Sequence, residues 1–180
     1  MAAPKVDKAA SLFAVCVVIP VYNHEHAIGT VVSSVRAQGL PVLLVDPRRR
    51  VVAAAHAGWR GTAKGIARKV LDALIADGSR PGDVIAALGP GIGPCCYEVG
   101  PELVREFGPG GGSFFRPGKG DRLLLDVRAA NAHQLREGGV PEGQIHSVAD
   151  CTFHEADRYH SYRREGVGGG RMISYVGFSS

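Results

Sequence analysis

The chain has 180 residues, enough for one domain with a core of its own, and its 45% hydrophobic and 21% charged residues are ordinary for a globular protein. The formal charge of +4 is mild, and the basic residues are local (Arg48-Arg49-Arg50, Arg163-Arg164) rather than ranged in a stripe, which argues against a nucleic-acid partner. Four cysteines (Cys16, Cys95, Cys96, Cys151) are too few for a disulfide framework and suit a reducing cytoplasm.

Met1 to Ala10 is polar and reads as a frayed end. The apolar run Leu12 to Val21 is too short to span a bilayer, holds Pro20 and lacks a signal-peptide pattern, so neither a membrane anchor nor a leader is expected. Within it Phe13 to Ile19 reads as a buried strand, and Ile28, Val31, Val32 and Val35 have helical spacing over Glu25 to Gln38. Val42 to Val45 and Val51 to Ala55 are strands joined by a solvated turn, Asp46 to Arg50. Thr62 to Ala76 is the strongest helix: Ile66, Val70, Leu71, Leu74 and Ile75 share one face, while Lys64, Arg68, Lys69 and Asp72 face water. Gly78 and Pro81 end it.

Asp83 to Leu88 is a further strand, followed by a Gly/Pro loop through Pro94. Pro101 to Phe107 reads as a short helix, and Gly108 to Gly112 as an exposed loop. Leu123 to Leu125, Gln144 to Val148 and Met172 to Val176 are strands, and Val127 to Glu137 is a helix. The expected class is α+β, a layered mixed β-sheet flanked by helices, and the sequence has no internal repeat.

The chemistry concentrates in Val51-Val52-Ala53-Ala54-Ala55-His56-Ala57-Gly58-Trp59-Arg60-Gly61-Thr62. A buried strand bounded by charge ends on a histidine, and the carboxyl end of a strand is where open α/β sheets keep their ligands. His56 can offer an imidazole there to a metal or substrate, against the plainer reading of a half-buried ring beside Trp59. Arg60 can clasp a phosphate or carboxylate, or make a structural bond at a helix start. Trp59 can stack on a purine or belong to the core. Gly91 and Gly93, in the Gly89 to Pro94 loop, can bring backbone amides close to a ligand, or simply make a tight connection. Buried inert thiols are the commoner state for cysteines such as Cys95 and Cys96.

His56-Ala57-Gly58-Trp59-Arg60-Gly61, Leu88-Gly89-Pro90-Gly91-Ile92-Gly93-Pro94-Cys95-Cys96-Tyr97-Glu98-Val99-Gly100, Cys151-Thr152, Ser161-Tyr162-Arg163-Arg164 and Gly170-Arg171-Met172 occur in that order. Together they resemble the laccase-domain family, also called multicopper polyphenol oxidase-like. The resemblance runs from about Leu40 to the C-terminus. It implies zinc-dependent purine nucleoside phosphorolysis with adenosine deamination, on a purine nucleoside and phosphate. It also implies three zinc ligands: an upstream His, a Cys just before Leu40-Pro41-Val42-Leu43, and the His matching His56. Gly39 stands where the Cys is expected, and the segment that would carry the upstream His is absent from this sequence. Cys151 and Arg163-Arg164 fall in family motifs whose roles look structural. Copper is disfavoured, because seven scattered histidines supply no blue-copper pattern.

Residues 13–46, through Cys16-Val17-Val18-Ile19-Pro20-Val21-Tyr22-Asn23-His24-Glu25, resemble instead the opening of a family 2 glycosyltransferase. That likeness lacks the Asp-x-Asp metal motif and stops near Asp46. The organisation expected is therefore an atypical N-terminal segment, 1–46, and a laccase-domain-like core, 40–180, folding as one unit with a truncated or replaced N-terminal part. His24 and His26 are weak stand-ins for the missing ligands. The leading expectation is a zinc-dependent purine nucleoside phosphorylase, impaired by its missing ligands, cytoplasmic and monomeric, with His56 and Arg60 catalytic, His56 on the metal, and Trp59, Gly91 and Gly93 on the substrate. The alternative is a catalytically inactive binding or structural domain on the same scaffold; a glycosyltransferase fragment is a distant third.

Overall fold

The computed structural model describes residues 17–18 and 40–170, together with residues 172, 174, 176 and 178. The expected helix over Glu25 to Gln38 lies outside the described residues, as does most of the strand expected at Phe13 to Ile19. The strand expected at Met172 to Val176 falls where only alternate residues are described.

The main sheet is mixed, with strand order β1-β3-β2-β4-β8. Its members are β1 (Val17–Val18), β2 (Leu40–Asp46), β3 (Val51–Ala57), β4 (Ile85–Leu88) and β8 (Ile145–Ser147). Strand β2 runs antiparallel to both β3 and β4, while β1 and β8 lie parallel to β3 and β4 at the two edges. The hairpin between β2 and β3 turns on Asp46, whose buried carboxylate accepts the backbone N–H groups of Arg48 and Arg49 at 3.0 and 3.1 Å. Arg50 completes that turn at φ 53°, the left-handed region that a turn requires and a non-glycine residue seldom adopts.

Side chains alternate across a strand, so the sheet has two distinct faces. Leu40, Val42 and Leu44 of β2, Ala53, Ala55 and Ala57 of β3, and Ala86 and Leu88 of β4 point into the core. The helices close over that face. Ile66, Ala67, Val70, Leu71 and Leu74 are buried, while Lys64, Arg68, Lys69 and Asp72 are exposed, as the spacing predicts. The helix expected from Thr62 to Ala76 is nevertheless two helices, α1 (Trp59–Ala63) and α2 (Ile66–Ala76). Gly65 separates them at φ 75°, ψ 35°, a left-handed conformation open to glycine at little cost and not part of a right-handed helix. The periodicity of the apolar residues survives this break, which is why the sequence pattern hides it.

A short helix α3 (Leu103–Glu106) leads to a second, three-stranded antiparallel sheet in the order β5-β7-β6, from β5 (Glu98–Val99), β6 (Phe115–Pro117) and β7 (Leu123–Leu125). Gly108 to Gly112, expected as an exposed loop, is partly folded in: Gly111 is buried against Phe107 and begins a 3₁₀ turn through Phe114. Phe107 and Phe115 meet edge-on with centroids 5.2 Å apart, so this corner has a small aromatic core. Helix α4 (Val127–Glu137) follows, its first turn capped by the Asp126 carboxylate on the Ala129 N–H at 2.9 Å. Among the described residues no helix is long and apolar enough to cross a membrane.

One buried polar link ties α4 to the turn that follows β3. Asn131 Nδ2 donates to Thr62 Oγ1 at 2.9 Å, and that hydroxyl donates in turn to the Gly58 carbonyl at 3.0 Å. Thr62 and Asn131 are both fully buried. Gln134 Nε2 adds a bond to the Thr62 carbonyl at 2.7 Å. Removing the Asn131 amide leaves buried partners short of a donor, so Asn131→Ala should lower unfolding stability by about 1–3 kcal/mol. Urea denaturation checks this, and an unchanged midpoint would show that the turn is held by something else.

Candidate functional site

His56 sits next to last in β3 and, by alternation, projects from the face opposite Ala55 and Ala57. Its partner across the β2 pairing is Pro41, and the Gly89 N–H bonds the Pro41 carbonyl at 2.9 Å. His56, Pro41 and Gly89 therefore form a row across three adjacent strands at one end of the sheet. His56 thus stands beside the start of the Gly89 to Pro94 loop. A Cβ on Gly89 would collide with the Pro41 ring, so the row needs glycine at that crossing.

The His56 ring lies close over Gly58, where an added Cβ would stand 2.9 Å from Nε2. Its Nδ1 is buried and has no hydrogen-bond partner among the described residues. Burial holds the imidazole below its ordinary value of 6.5, so the neutral ring is favoured. A neutral imidazole with an uncommitted nitrogen is the form that binds a metal or accepts a proton.

Beyond Gly58 the chain enters α1 with Trp59 half-buried and Arg60 exposed. The Arg60 guanidinium lies over the Trp59 indole, 4.4 Å from its centroid, so Trp59 already has a cation on its ring. The sequence motif did not predict what stands near Arg60. Burial raises the Tyr97 phenol, while the positive charges of Arg163 and Arg60 pull it back. Arg163 lies 5.1 Å from the Tyr97 ring centroid and donates to the Glu98 carbonyl at 2.9 Å. Arg164 is structural, as expected, with its guanidinium on the carbonyls of Thr152, Phe153 and Tyr159.

The glycine loop is built as a bridge. Gly91 pairs with Cys151 and packs against Leu40, and the Gly93 N–H points at Cys151 Sγ at 3.2 Å. Two of the loop's amides, those of Gly89 and Gly93, are thus engaged within the protein. The loop ends in a turn whose Cys96 and Tyr97 N–H groups both bond the Gly93 carbonyl at 3.0 Å.

That turn brings together a set that the sequence reading left as inert thiols. Sγ of Cys95, Cys96 and Cys151 and a ring nitrogen of His154 all lie within 4.8 Å of one another, a group able to hold a metal ion. His154 Nε2 is 3.2 Å from Cys96 Sγ, and its Nδ1 is 3.7 Å from Cys95 Sγ. All three cysteines are free. Burial and the neighbouring sulfurs push the Cys96 thiol up to about 12, and burial with Cys151 raises Cys95. Burial also opposes ionisation of Cys151, but the N–H groups of Gly93, His154 and Phe153 outweigh it and lower that thiol. The one sequence signal for this group was Cys151-Thr152-Phe153-His154, a C-x-x-H spacing that stands far along the chain from its partners.

A family model described as multi-copper polyphenol oxidoreductase laccase matches residues 23–179. The purine nucleoside phosphorylase YlmD of Geobacillus stearothermophilus is 36% identical over 146 residues, covering 78% of this chain and 53% of that protein. The adenosine deaminase RL5, from an unknown prokaryotic organism, is 35% identical over 153 residues, covering 82% and 58%. The crystal structure of the Bacillus licheniformis hypothetical protein YfiH matches with a TM-score of 0.74 at 37% identity, over 79% of this chain and 55% of that one. The chain thus spans about half the length of these relatives. The match reaches back to Asn23, so the glycosyltransferase resemblance of residues 13–46 is unsupported.

The buried imidazole has a consequence for stability against pH. His56 is held below 6.5 in the folded chain, so below that pH the unfolded chain takes up a proton that the folded one resists. Its contribution is full above 6.5 and falls as the solution is acidified. Between about pH 7.5 and about pH 5.5 the wild type should lose more stability than His56→Gln. Parallel loss in the two proteins, measured by urea midpoints, would remove His56 from the explanation.

Proposed function

This chain belongs to the multi-copper polyphenol oxidoreductase laccase family, and from that premise we propose that it acts in purine nucleoside phosphorolysis, with adenosine or inosine and phosphate as substrates. The observation that carries the proposal is the buried His56 Nδ1 at the strand end, without a partner among the described residues and next to Trp59 and Arg60, in a chain whose relatives include a named purine nucleoside phosphorylase. Residues 40–180 are taken as one unit carrying this site, with β2 shared with the N-terminal segment 1–46. The protein is taken to work as a monomer in the cytoplasm.

The roles follow from charge and position. Arg60 and Arg163, both of which act electrostatically on Tyr97, supply cations for the phosphate that displaces the base from the ribosyl carbon. Trp59 is assigned to the nucleoside by stacking, while Gly91 and Gly93, packed against Leu40 and Cys151, shape the loop beside it rather than touch the ligand. His56 faces the same end as a neutral imidazole.

A zinc ion at His56 is a separate matter. A catalytic zinc takes three protein ligands and keeps a position for water. Among the described residues the one group of three or more His, Cys, Asp or Glu side chains suited to a metal is the cysteine cluster, and it does not include His56. Gly39 brings no thiolate to the strand start. One imidazole does not make a zinc site, and none of the roles above depends on one. That shortfall also favours a second reading, an inactive binding or structural domain on the same scaffold.

Two experiments separate these readings. Phosphate-dependent release of base from adenosine or inosine should be low in the wild type and fall at least about tenfold in His56→Ala, while Arg60→Ala should raise the phosphate KM by about tenfold or more, the worth of a charged hydrogen bond. Equal rates for wild type and His56→Ala would assign the activity to a contaminant and leave the inactive domain standing. Gly39→Cys should raise zinc content above that of the parent, by an increment that His56→Ala removes. No increment would count against a metal at this strand end.

A further inference from the structure

We propose that Cys95, Cys96, Cys151 and His154 form a structural zinc site that fastens the glycine loop to the Cys151–His154 turn, separate from His56 and independent of the phosphorylase reading. The four ligand atoms already lie within 4.8 Å of one another. A tetrahedral zinc with Zn–S bonds of about 2.3 Å sets its ligand atoms about 3.8 Å apart, so the group closes around the ion by small side-chain movements. Three sulfurs and one imidazole nitrogen complete the coordination and leave no position for water, the pattern of a structural site rather than a catalytic one. Soft thiolate ligands also exclude magnesium and calcium.

The surroundings are those of a built site. Two tight turns present the ligands. In one, the N–H groups of Cys96 and Tyr97 converge on the Gly93 carbonyl; in the other, His154 and Glu155 N–H groups bond the Cys151 carbonyl at 3.0 Å. The Gly93 N–H aimed at Cys151 Sγ at 3.2 Å is an outer contact of the kind that orients and stabilises a metal-bound thiolate. Gly93 has no room for a side chain: a Cβ would stand 3.2 Å from Cys95 Sγ and 3.3 Å from Cys151 Cβ. Cys151 is buried while Cys95 and His154 are exposed, which gives the ion a way in. On binding, each thiol releases its proton to solvent and the ion takes up the thiolates; nothing is oxidised or reduced. A disulfide between Cys95 and Cys96 is disfavoured because vicinal residues rarely reach the geometry of the bond.

The test uses the full chain, reduced and stripped of metal, with cobalt(II) as a spectroscopic probe and zinc as the competing ion. The expected result is one equivalent bound with an intense thiolate-to-cobalt charge-transfer band, displaced by zinc. His56→Ala should bind with the same affinity, and Cys95→Ser, at an exposed position, should bind more than about 100-fold more weakly, beyond the loss seen for outer-shell partners. Cobalt bound without the thiolate band, or equal affinity in Cys95→Ser, would overturn the proposal. Maleimide alkylation of the unmodified chain gives a second reading that needs no variant. Zinc should slow it and a chelator should restore it, whereas equal rates with and without zinc would overturn the site.

Discussion

The pairing of β2 with both of its antiparallel neighbours is the constraint on which the rest of this structure depends. It fixes Pro41 opposite His56 and brings the exit of β4 across Pro41 at the same end. Only a glycine passes there, because any Cβ at position 89 would overlap the proline ring. A slip of one residue along β2 would turn the buried Leu40, Val42 and Leu44 outward, and the same slip along β3 would turn Ala53, Ala55 and Ala57 out and His56 in. Burial of one apolar face therefore places the imidazole on the other, and no polar contact is needed to choose its direction.

Small residues make the second part of the arrangement possible. The core side of β3 is Ala53, Ala55 and Ala57, which lets α1 and α2 approach the sheet closely. The turn between strand and helix is then secured by polar groups, with Thr62 bonded back to Gly58 and held in place by Asn131. Such buried bonds add little net stability each, but leaving one unmade is costly, so they favour one geometry over its neighbours. The loop that leaves Gly89 is held differently. It is anchored by a backbone bridge to Cys151 and ends among sulfurs.

Much of this was legible in the sequence, for identifiable reasons. Val51 to Ala55 is an apolar run bounded by arginines, and its extension to Ala57 changes nothing about where His56 falls. The helical face of α2 was plain from spacing, and the helix expected over Val127 to Glu137 is α4. The break at Gly65 was not, since one left-handed glycine shifts the backbone without disturbing the apolar period. The small sheet was also missed in part, because Glu98–Val99 is two residues long and Phe115–Pro117 ends in a proline. The cysteine group was hidden for a topological reason. Cys95-Cys96 and Cys151 to His154 each look ordinary alone, and only the bridge from Gly91 to Cys151 brings them face to face.

That same bridge bears on how the protein is made. Gly93 and its sulfur partner are 58 residues apart in the chain, and Thr62 and Asn131 are 69 apart. At a synthesis rate of about 5–20 residues per second, the segment carrying Cys95 and Cys96 leaves the ribosome roughly 3 to 11 seconds before Cys151 follows it out. During that interval the central hairpin of β2 and β3 can pair, but the glycine loop has nothing to close against. The last contacts to form are those that join the ends of long loops, whose closing entropy must be met before their reward. For these seconds the thiols of Cys95 and Cys96 stand open to any oxidant or stray metal, before the chain has a fold to protect them.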